Sequence, residues 1–467
     1  MKFIKSLDIL TRILVFIVAI ISSFYIAYNV NHPGYDLLFL LPLTYGCVFT
    51  FFISPILFKK SNMFIAVFTA VSFTRYVILP VLIVFSGWYG GRSVVPPLPS
   101  SFDLALKLMI YELIVVSIVI YFLFRKLKIY KKPQIQNSEV KLPENMFFYI
   151  VFVIFSLVLL GITPEAIRTF AFIIPSESMI DFGEGSTLVT ITTYCLITSK
   201  YIVFLLLISF LYKKYLSSKD KIYIWLSFLV VFLNISIIFG DNRSDFIITS
   251  IVSIILFYKL YPKQSKVPII FIIFVMVFMT GYITSHRNTV TYTRGEDPIL
   301  DLTDTLQIYL GGPYNVAIAT EVAELNADAR TLSNLIYDLL RPAIGFNVIF
   351  KKLDGFEFSN YLFNYRIFYS DHVSQIMPMI GQGYFYFGFI FSHLFMIGFI
   401  IFVYFLIKIL QKQNRLELIF FLSIPITRMG FAMGQNAGIL INDISFFLLL
   451  NLIVYYLNNK IVLTRSL

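Results

Sequence analysis

Residues 63–85 read MFIAVFTAVSFTRYVILPVLIVF, an apolar run in which Arg75 is the single charged side chain. A membrane-spanning α-helix needs about 20 mostly apolar residues, so this run predicts a transmembrane helix. Lys59 and Lys60 lie just before it, and clustered lysines are typical of the cytoplasmic end of a span. The stretch therefore predicts both the crossing and its direction.

The composition of the whole chain has the same character. Hydrophobic residues make up 58% and charged residues 13%, which excludes an ordinary globular domain. The net charge of +11 arises mainly from lysines that flank apolar runs, so it indicates topology and attraction to anionic lipid, not nucleic-acid binding. Cys47 and Cys195, the two cysteines, lie in apolar runs, which excludes a disulfide framework and a cysteine metal site.

Runs of this kind recur along the chain and predict an all-α polytopic membrane protein with about twelve transmembrane helices. The predicted spans are Ile13–Ala27, Leu37–Phe58, Met63–Phe85, Leu104–Phe124, Met146–Ile162, Leu188–Tyr212, Ile222–Phe239, Phe246–Leu260, Val267–Thr284, Tyr384–Ile407, Leu416–Met433 and Ile439–Leu457. Lysine-rich clusters fall at alternate ends of these spans, so both termini are expected in the cytoplasm.

We expect one integral membrane domain, residues 1–467, with a large extracytoplasmic loop, residues 285–383, between the ninth and tenth spans. Loops of this length are usually functional or separately folded. Within it, Leu332–Leu340 and Ala343–Phe350 are apolar stretches of helical type. A second outside connection, Gly87–Ser101, contains three prolines, which favour an extended strap.

Arginines gather on the predicted outer side, against the usual preference for cations inside. They are Arg92, Arg168, Arg243, Arg287, Arg294, Arg330, Arg341 and Arg366. Because the guanidinium group binds phosphate and carboxylate through two parallel hydrogen bonds, this bias suggests an anionic ligand at the outer face.

The eighth span is the most specific local feature. Phe246–Leu260 has 15 residues and reaches roughly 22 Å as a helix, too short for the hydrocarbon core. Extending it to Asp241 places Gly240–Asp245 at the start of a helix, where backbone N–H groups favour an anion. The alternative is a polar turn in which Arg243 pairs with Asp241 or Asp245.

Two further arginines lie inside predicted spans, where a charge requires a partner or a cavity. Glu112, Asp443 and Lys200 are the charged residues of other spans that are possible partners, and structural pairing is the expected role of Arg75, Glu112 and Lys200. Polar residues follow Arg428 toward the outer face and are consistent with a polar cavity there; they are Gln435 and Asn436, interspersed with Gly430, Gly434 and Gly438.

The long loop supplies the remaining candidates. They are His286, Arg287, Arg294, Arg341, Arg366 and His372. Each histidine is a possible base by type, although a structural histidine is the more ordinary role. The chain has no P-loop, HExxH, GxSxG or dinucleotide motif, and no metal or cofactor site is expected.

With these features the chain resembles the oligosaccharide repeat-unit polymerases, the Wzy or O-antigen polymerase family of bacterial surface polysaccharide assembly. The resemblance rests on the number of spans, the large outer loop after the ninth span, mid-span Arg75 with Pro80, and the Arg287 exit. It also includes Gly-x-x-Arg from Gly240 and the stretch 374–388, SQIMPMIGQGYFYFG.

The resemblance implies a membrane glycosyltransferase, independent of metal and nucleotide, that polymerises undecaprenyl-diphosphate-linked repeat units into O-antigen, capsule or exopolysaccharide. It would be a multi-pass protein of the bacterial plasma membrane with its active site facing the periplasm or cell exterior. Its partners would be lipid-linked oligosaccharides, membrane lipid, a flippase and a chain-length regulator. The alternatives are a ligase-like glycan transferase and a lipid-linked oligosaccharide flippase or exporter.

On this resemblance, Arg243, Arg287 and Arg428 would hold the diphosphates. Arg294, Arg341 and Arg366 would order the loop or bind a second diphosphate or an acidic sugar, and Arg75 is a further candidate for substrate binding. The base is left open among His286, His372 and Asp245.

Overall fold

The computed structural model describes residues 2–60, 62–127, 140–172, 186–239, 243–271, 273–274, 278, 297–350, 352–353, 355–371 and 373–461, with the side chains of all but 2–5, 243 and 244. This part of the chain is helical apart from its turns and one two-stranded sheet. The apolar runs form helices because a helix satisfies its own backbone hydrogen bonds without water. The all-α prediction is confirmed.

The elements follow one another in this order: α1 Lys2–Asn29, α2 Leu40–Lys59, α3 Met63–Ser86, α4 Pro99–Arg125, α5 Phe147–Ile162, β1 Phe170–Phe172, α6 Thr187–Ser218, α7 Ile222–Ser236, β2 Ile237–Phe239, α8 Arg243–Leu260, α9 Pro298–Leu310, α10 Pro313–Leu325, α11 Leu332–Leu340, α12 Asn347–Phe350, α13 Ser359–Phe368, α14 Met379–Phe391, α15 Leu394–Leu410, α16 Leu416–Gly434 and α17 Ala437–Lys460. Short π-helical turns interrupt α2, α3 and α17 at Phe49–Ile53, Thr74–Ile78 and Ile444–Leu449, and 3₁₀ turns occur at Pro164–Thr169, Ala327–Ala329 and Met429–Gly434.

Several helices have the character of membrane spans. Within the described ranges, seven are long and apolar enough to cross a bilayer: α1 from Ser6 onward, α2, α3, α4, α6, α16 and α17. These coincide with seven of the expected spans, and they indicate a membrane protein. The figure of twelve spans and the orientation of the chain stay predictions.

The remaining expected spans are shorter or interrupted. α5 has 16 residues and α7 has 15, below the length of a full crossing. α8 begins at Arg243, three residues before the apolar run, as the length argument required. Of the ninth expected span, Val267–Thr284, the described residues 267–271, 273, 274 and 278 are helical.

The tenth expected span, Tyr384–Ile407, is two helices. α14 and α15 are bent by 103° at a short break, so the pair forms a broken span or a re-entrant loop. Gly388 has φ 70° inside α14, a backbone conformation that side chains disfavour. Gly383 lets the bend close, because a Cβ there would lie 1.7 Å from the Ser392 carbonyl oxygen.

The chain forms two compact units. The first comprises Met1–Ile129, Arg294–Lys408 and Arg428–Asp443. It includes the five helices α9 to α13, here called the insert, which occupy most of the predicted outer loop. α10 packs against α4, α13 and α14, and every residue from Pro313 to Ala323 is buried. This segment of the loop is therefore part of a packed core.

The proline-rich connection between α3 and α4, residues 87–98, is bound to the insert. Its Ser93 N–H donates to Tyr314 Oη at 2.8 Å, and its Leu98 N–H donates to Glu321 Oε1 at 2.7 Å. Arg92 pairs with Asp304 at 2.7 Å. We call this segment the strap; the insert fixes its backbone.

The second unit comprises Tyr130–Thr293, Ile409–Thr427 and Ile444–Leu467. One buried cluster in it joins α5, α6 and α17 through Tyr149, Phe152, Cys195, Ile202 and Val454. β1 and β2 pair antiparallel, with Phe170 opposite Phe239. This ribbon and the start of α8 surround the cavity described next.

Candidate functional site

A small cavity in the second unit brings together two opposite charges. Its volume is about 10 Å³, the space that roughly one water molecule needs. Lys200 and Asp245 line it, with Tyr201 and Thr249. The apolar wall consists of Phe170, Ile197, Ile235, Ile237, Ile238, Phe239, Phe246 and Phe447.

Lys200 is held by the edge of the ribbon. Its Nζ donates to the Ile237 carbonyl oxygen at 2.6 Å and lies 5.4 Å from the ring centre of Tyr201. An ammonium group has three donors, and this is the one acceptor that the described residues provide for it. The other two donors are available to Asp245, to water or to a ligand in the cavity.

Asp245 lies in the first turn of α8. The helix begins two residues earlier, at Arg243, so the cavity adjoins the end at which free backbone N–H groups carry partial positive charge. A wall of aromatic and aliphatic side chains strengthens electrostatic interactions inside the cavity. The arrangement places an ammonium group and a carboxylate that can accept a proton around a space for about one water molecule, so a larger anionic group would bind next to the cavity, at the start of α8.

Arg75, a predicted substrate-binding residue, lies in a buried ion pair of the first unit. It has 0% side-chain exposure and meets Glu112 at 2.7 Å. The Tyr76 hydroxyl donates to the same Glu112 oxygen at 2.9 Å, and Arg75 Nε donates to the Gly311 carbonyl oxygen at 3.1 Å. The structural pairing expected for Arg75 is confirmed.

Arg428 also has an acidic partner. Its Nε meets Asp443 Oδ2 at 2.6 Å, as the sequence had suggested. Asn436 is buried and donates to Asn360 Oδ1 at 3.1 Å, while its own Oδ1 accepts from Ile439 N–H at 2.8 Å. Asn436, one of the polar residues after Arg428, thus links this part of the chain to α13.

Arg366 and Arg341 differ in their surroundings. Arg366 pairs with Glu321 at 2.5 Å and donates to the Val95 carbonyl oxygen at 3.2 Å, so it orders the loop, one of the two roles considered for it. The Arg341 guanidinium stacks 3.9 Å from the ring centre of Phe358. Its N–H groups have no hydrogen-bond or ion-pair partner among the residues that the structure describes.

The other predicted site residues lie outside the described part of the chain. These are His286, Arg287, Arg294 and His372, together with the side chain of Arg243. Their proposed roles stay predictions. Of the predicted charged residues, the structure brings Asp245 to the cavity in the second unit. In the first unit, Arg366 lies in α13, and Arg341, which follows α11, stacks on Phe358 at the start of α13.

Sequence reasoning missed Glu321 and Asp338 and gave Lys200 only a minor role. Asp338 is buried and accepts hydrogen bonds from Ser359, from Gln382 Nε2 at 3.0 Å and from Tyr386 Oη at 3.0 Å. The signal was available in part, because Asp338 interrupts the apolar face of α11. Its partners lie 21 to 48 residues away, and no local pattern identifies them.

Comparison of the chain with family models, with curated proteins and with solved structures finds no match in any of the three. In the described residues no group of three or more His, Cys, Asp or Glu side chains is placed to hold a metal ion.

Proposed function

We propose that this protein is a membrane glycosyltransferase that polymerises undecaprenyl-diphosphate-linked oligosaccharides into a surface polysaccharide at the outer face of a bacterial plasma membrane. The observation that carries the proposal is the meeting of Lys200 and Asp245 in one apolar-walled cavity beside the start of α8. Buried charge in membrane helices is costly and is usually functional. The family resemblance supplies the substrate class.

The cavity residues have complementary roles in such a transfer. A sugar hydroxyl of one lipid-linked unit attacks the anomeric carbon of the growing chain, and the bond from that carbon to the diphosphate breaks. Lys200, with Arg243 at the first position of α8, stabilises the negative charge on the departing lipid diphosphate. Asp245 accepts the hydroxyl proton and passes it to water.

Asp245 variants test this assignment. Asp245→Asn removes the base, and general-base catalysis contributes about 100-fold or more, so we expect the polymer ladder to collapse to a single repeat unit. Asp245→Glu should retain part of it. Arg243→Ala should also abolish polymer, and Arg243→Lys should rescue it poorly because the planar fork is lost.

The readout is a gel of lipid-linked and exported glycan, at matched protein level, with Lys263→Ala in the exposed turn after α8 as the control. A normal ladder in Asp245→Asn cells would overturn the role of this cavity. Cells without the gene test the function itself. Loss of the ladder with retention of one exported repeat supports a polymerase, and a full ladder left on the lipid carrier would make the protein a ligase.

A lipid-linked oligosaccharide flippase is the second candidate, and one observation favours it. Transporters commonly use broken helices at their substrate sites, and α14 and α15 form a pair bent by 103°. If the protein is a flippase, deletion of the gene would trap repeat units on the cytoplasmic side. Retention of single repeats at the outer face would exclude it.

A further inference from the structure

One face of α13 carries an exposed row of tyrosines. Tyr361, Tyr365 and Tyr369, here called the tyrosine row, are spaced four residues apart. Tyr361, which is half-buried, and Tyr365 lie on the same side of the helix, and Tyr369 caps its C-terminal end. Tyr365 is 47% exposed and Tyr369 is 51% exposed. Neighbouring ring centres are 6.3 Å apart along the row.

The row is held in place by polar contacts. The Tyr361 hydroxyl donates to Asp371 Oδ1 at 2.8 Å, and this hydrogen bond raises the pKa of Tyr361 above its usual value. Asp371 is exposed, and its second carboxylate oxygen has no partner among the described side chains. The Arg366 guanidinium lies 6.0 Å from the ring centre of Tyr369.

The end of the row at Tyr361 also adjoins a cation. Phe358 lies 5.8 Å from Tyr361, ring centre to ring centre, and Arg341 stacks on Phe358. Stacking fixes the plane of the guanidinium, whose N–H edge is of the kind that binds a carboxylate or phosphate and is not used by any of the described residues. From Phe358 to Tyr369 the helix rises roughly 16 Å, so the surface accommodates an extended ligand.

The chemistry of this face differs from that of the faces that suit lipid. Between residues 9 and 24, the exposed large side chains of α1 are aliphatic or phenylalanine, such as Leu10, Leu14, Ile21 and Phe24. α13 buries Leu362, Phe363 and Ile367 instead and exposes hydroxyl-bearing rings beside charged groups. Electron-rich ring faces attract the C–H faces of sugar rings. The tyrosine hydroxyls and Asp371 can form hydrogen bonds with sugar hydroxyl groups, and Arg341 can pair with an acidic group of a sugar.

We propose that the tyrosine row, with Arg341 at one end and Asp371 beside it, is a binding subsite for the growing polysaccharide chain. This inference rests on the proposed polymerase function and adds the place where the product is retained between additions. Retention favours further addition over release. Weaker retention therefore shortens the chains while the transfer itself continues.

The test replaces Tyr365 and Tyr369 together. The double Leu variant keeps apolar volume and loses the ring faces, whereas the double Trp variant keeps the rings. We expect the Leu variant to bind about tenfold less tightly to polysaccharide released by mild acid from the same cells, measured by saturation-transfer NMR on the purified full chain. Its ladder in cells should shift to shorter lengths, and the Trp variant should retain both properties.

Tyr456→Leu is the matched control, because Tyr456 on α17 is 59% exposed and lies outside the row. Equal ladders and equal binding in the Leu variant and the native protein would overturn the subsite. A lipid-contacting role would show as loss of membrane protein level with unchanged binding, and it would also overturn it. If deletion of the gene leaves the ladder intact, the polymerase proposal itself fails, so the two failures are distinguishable.

Discussion

At the scale of the residue, cations in the first unit serve two different purposes. Arg75 and Arg366 are paired with buried acids and bind backbone carbonyls, which makes them structural. Arg341 rests on an aromatic ring with its donors unused by the described residues. Arginines of the same unit therefore do not share one function, and the partner of each arginine decides its role.

The Arg75–Glu112 pair gives a test of the structural role. Arg75→Met leaves Glu112 buried without a counter-charge, which costs about 3–5 kcal/mol of stability. The double variant Arg75→Met with Glu112→Leu removes both charges and should lose much less. Thermal unfolding in detergent measures both losses.

Lys107→Met provides the control, because it breaks the exposed pair with Asp103 on the same helix α4. A pair at that exposure contributes about 0–1 kcal/mol. If the Arg75 single variant and the double variant were equally destabilised, the unpaired carboxylate would not be the cause of the loss.

At the scale of the element, composition predicts helices well and predicts their interruptions poorly. The apolar runs identified the seven span-like helices, and α11 has the predicted bounds, Leu332–Leu340. The bend between α14 and α15 depends on the left-handed conformation of Gly388 and on the approach of Ser392 to Gly383. Neither feature changes the hydrophobicity of the run, so the sequence predicted one continuous span.

The bend makes Gly383 intolerant of a side chain. Gly383→Ala places a methyl group against the carbonyl oxygen of Ser392. Because this oxygen is a backbone atom and cannot rotate away like a side chain, the bend has to open. We expect loss of folded protein in fluorescence-detected size-exclusion chromatography. Gly398→Ala on α15 is the control, since nothing lies within 4 Å of the added Cβ; equal yields from the two variants would contradict a closed bend.

At the scale of the whole molecule, the positions of the lysines in the sequence predict which ends of the helices face the cytoplasm. Cytoplasmic lysine clusters predict that α13 faces outward and that the turn between α6 and α7 faces inward. The insert was predicted as a loop because it is more polar than the spans, yet α10 is buried. Its small residues, among them Ala317, Ala319 and Ala323, suit close packing, and hydropathy does not distinguish such packing from exposure.

Cysteine labelling tests this orientation. In a protein with Cys47 and Cys195 replaced by Ser, Glu357→Cys in the insert should react with a membrane-impermeant maleimide in cells stripped of any outer barrier. Asp220→Cys, between α6 and α7, should react only after permeabilisation. Both positions are exposed, so access depends on sidedness. Labelling of Asp220→Cys before permeabilisation would contradict the predicted topology.

The buried Arg75 also imposes an order on synthesis and membrane insertion. Glu112 follows it by 37 positions and Gly311 by 236. The ion pair can form once α4 has entered the membrane, but the carbonyl that occupies Arg75 Nε emerges from the ribosome much later. Until Gly311 has been synthesised and has packed against α3, the first four helices therefore hold a cation whose Nε lacks this acceptor. A membrane chaperone or a quality-control protease would bind the nascent protein in this partly assembled state.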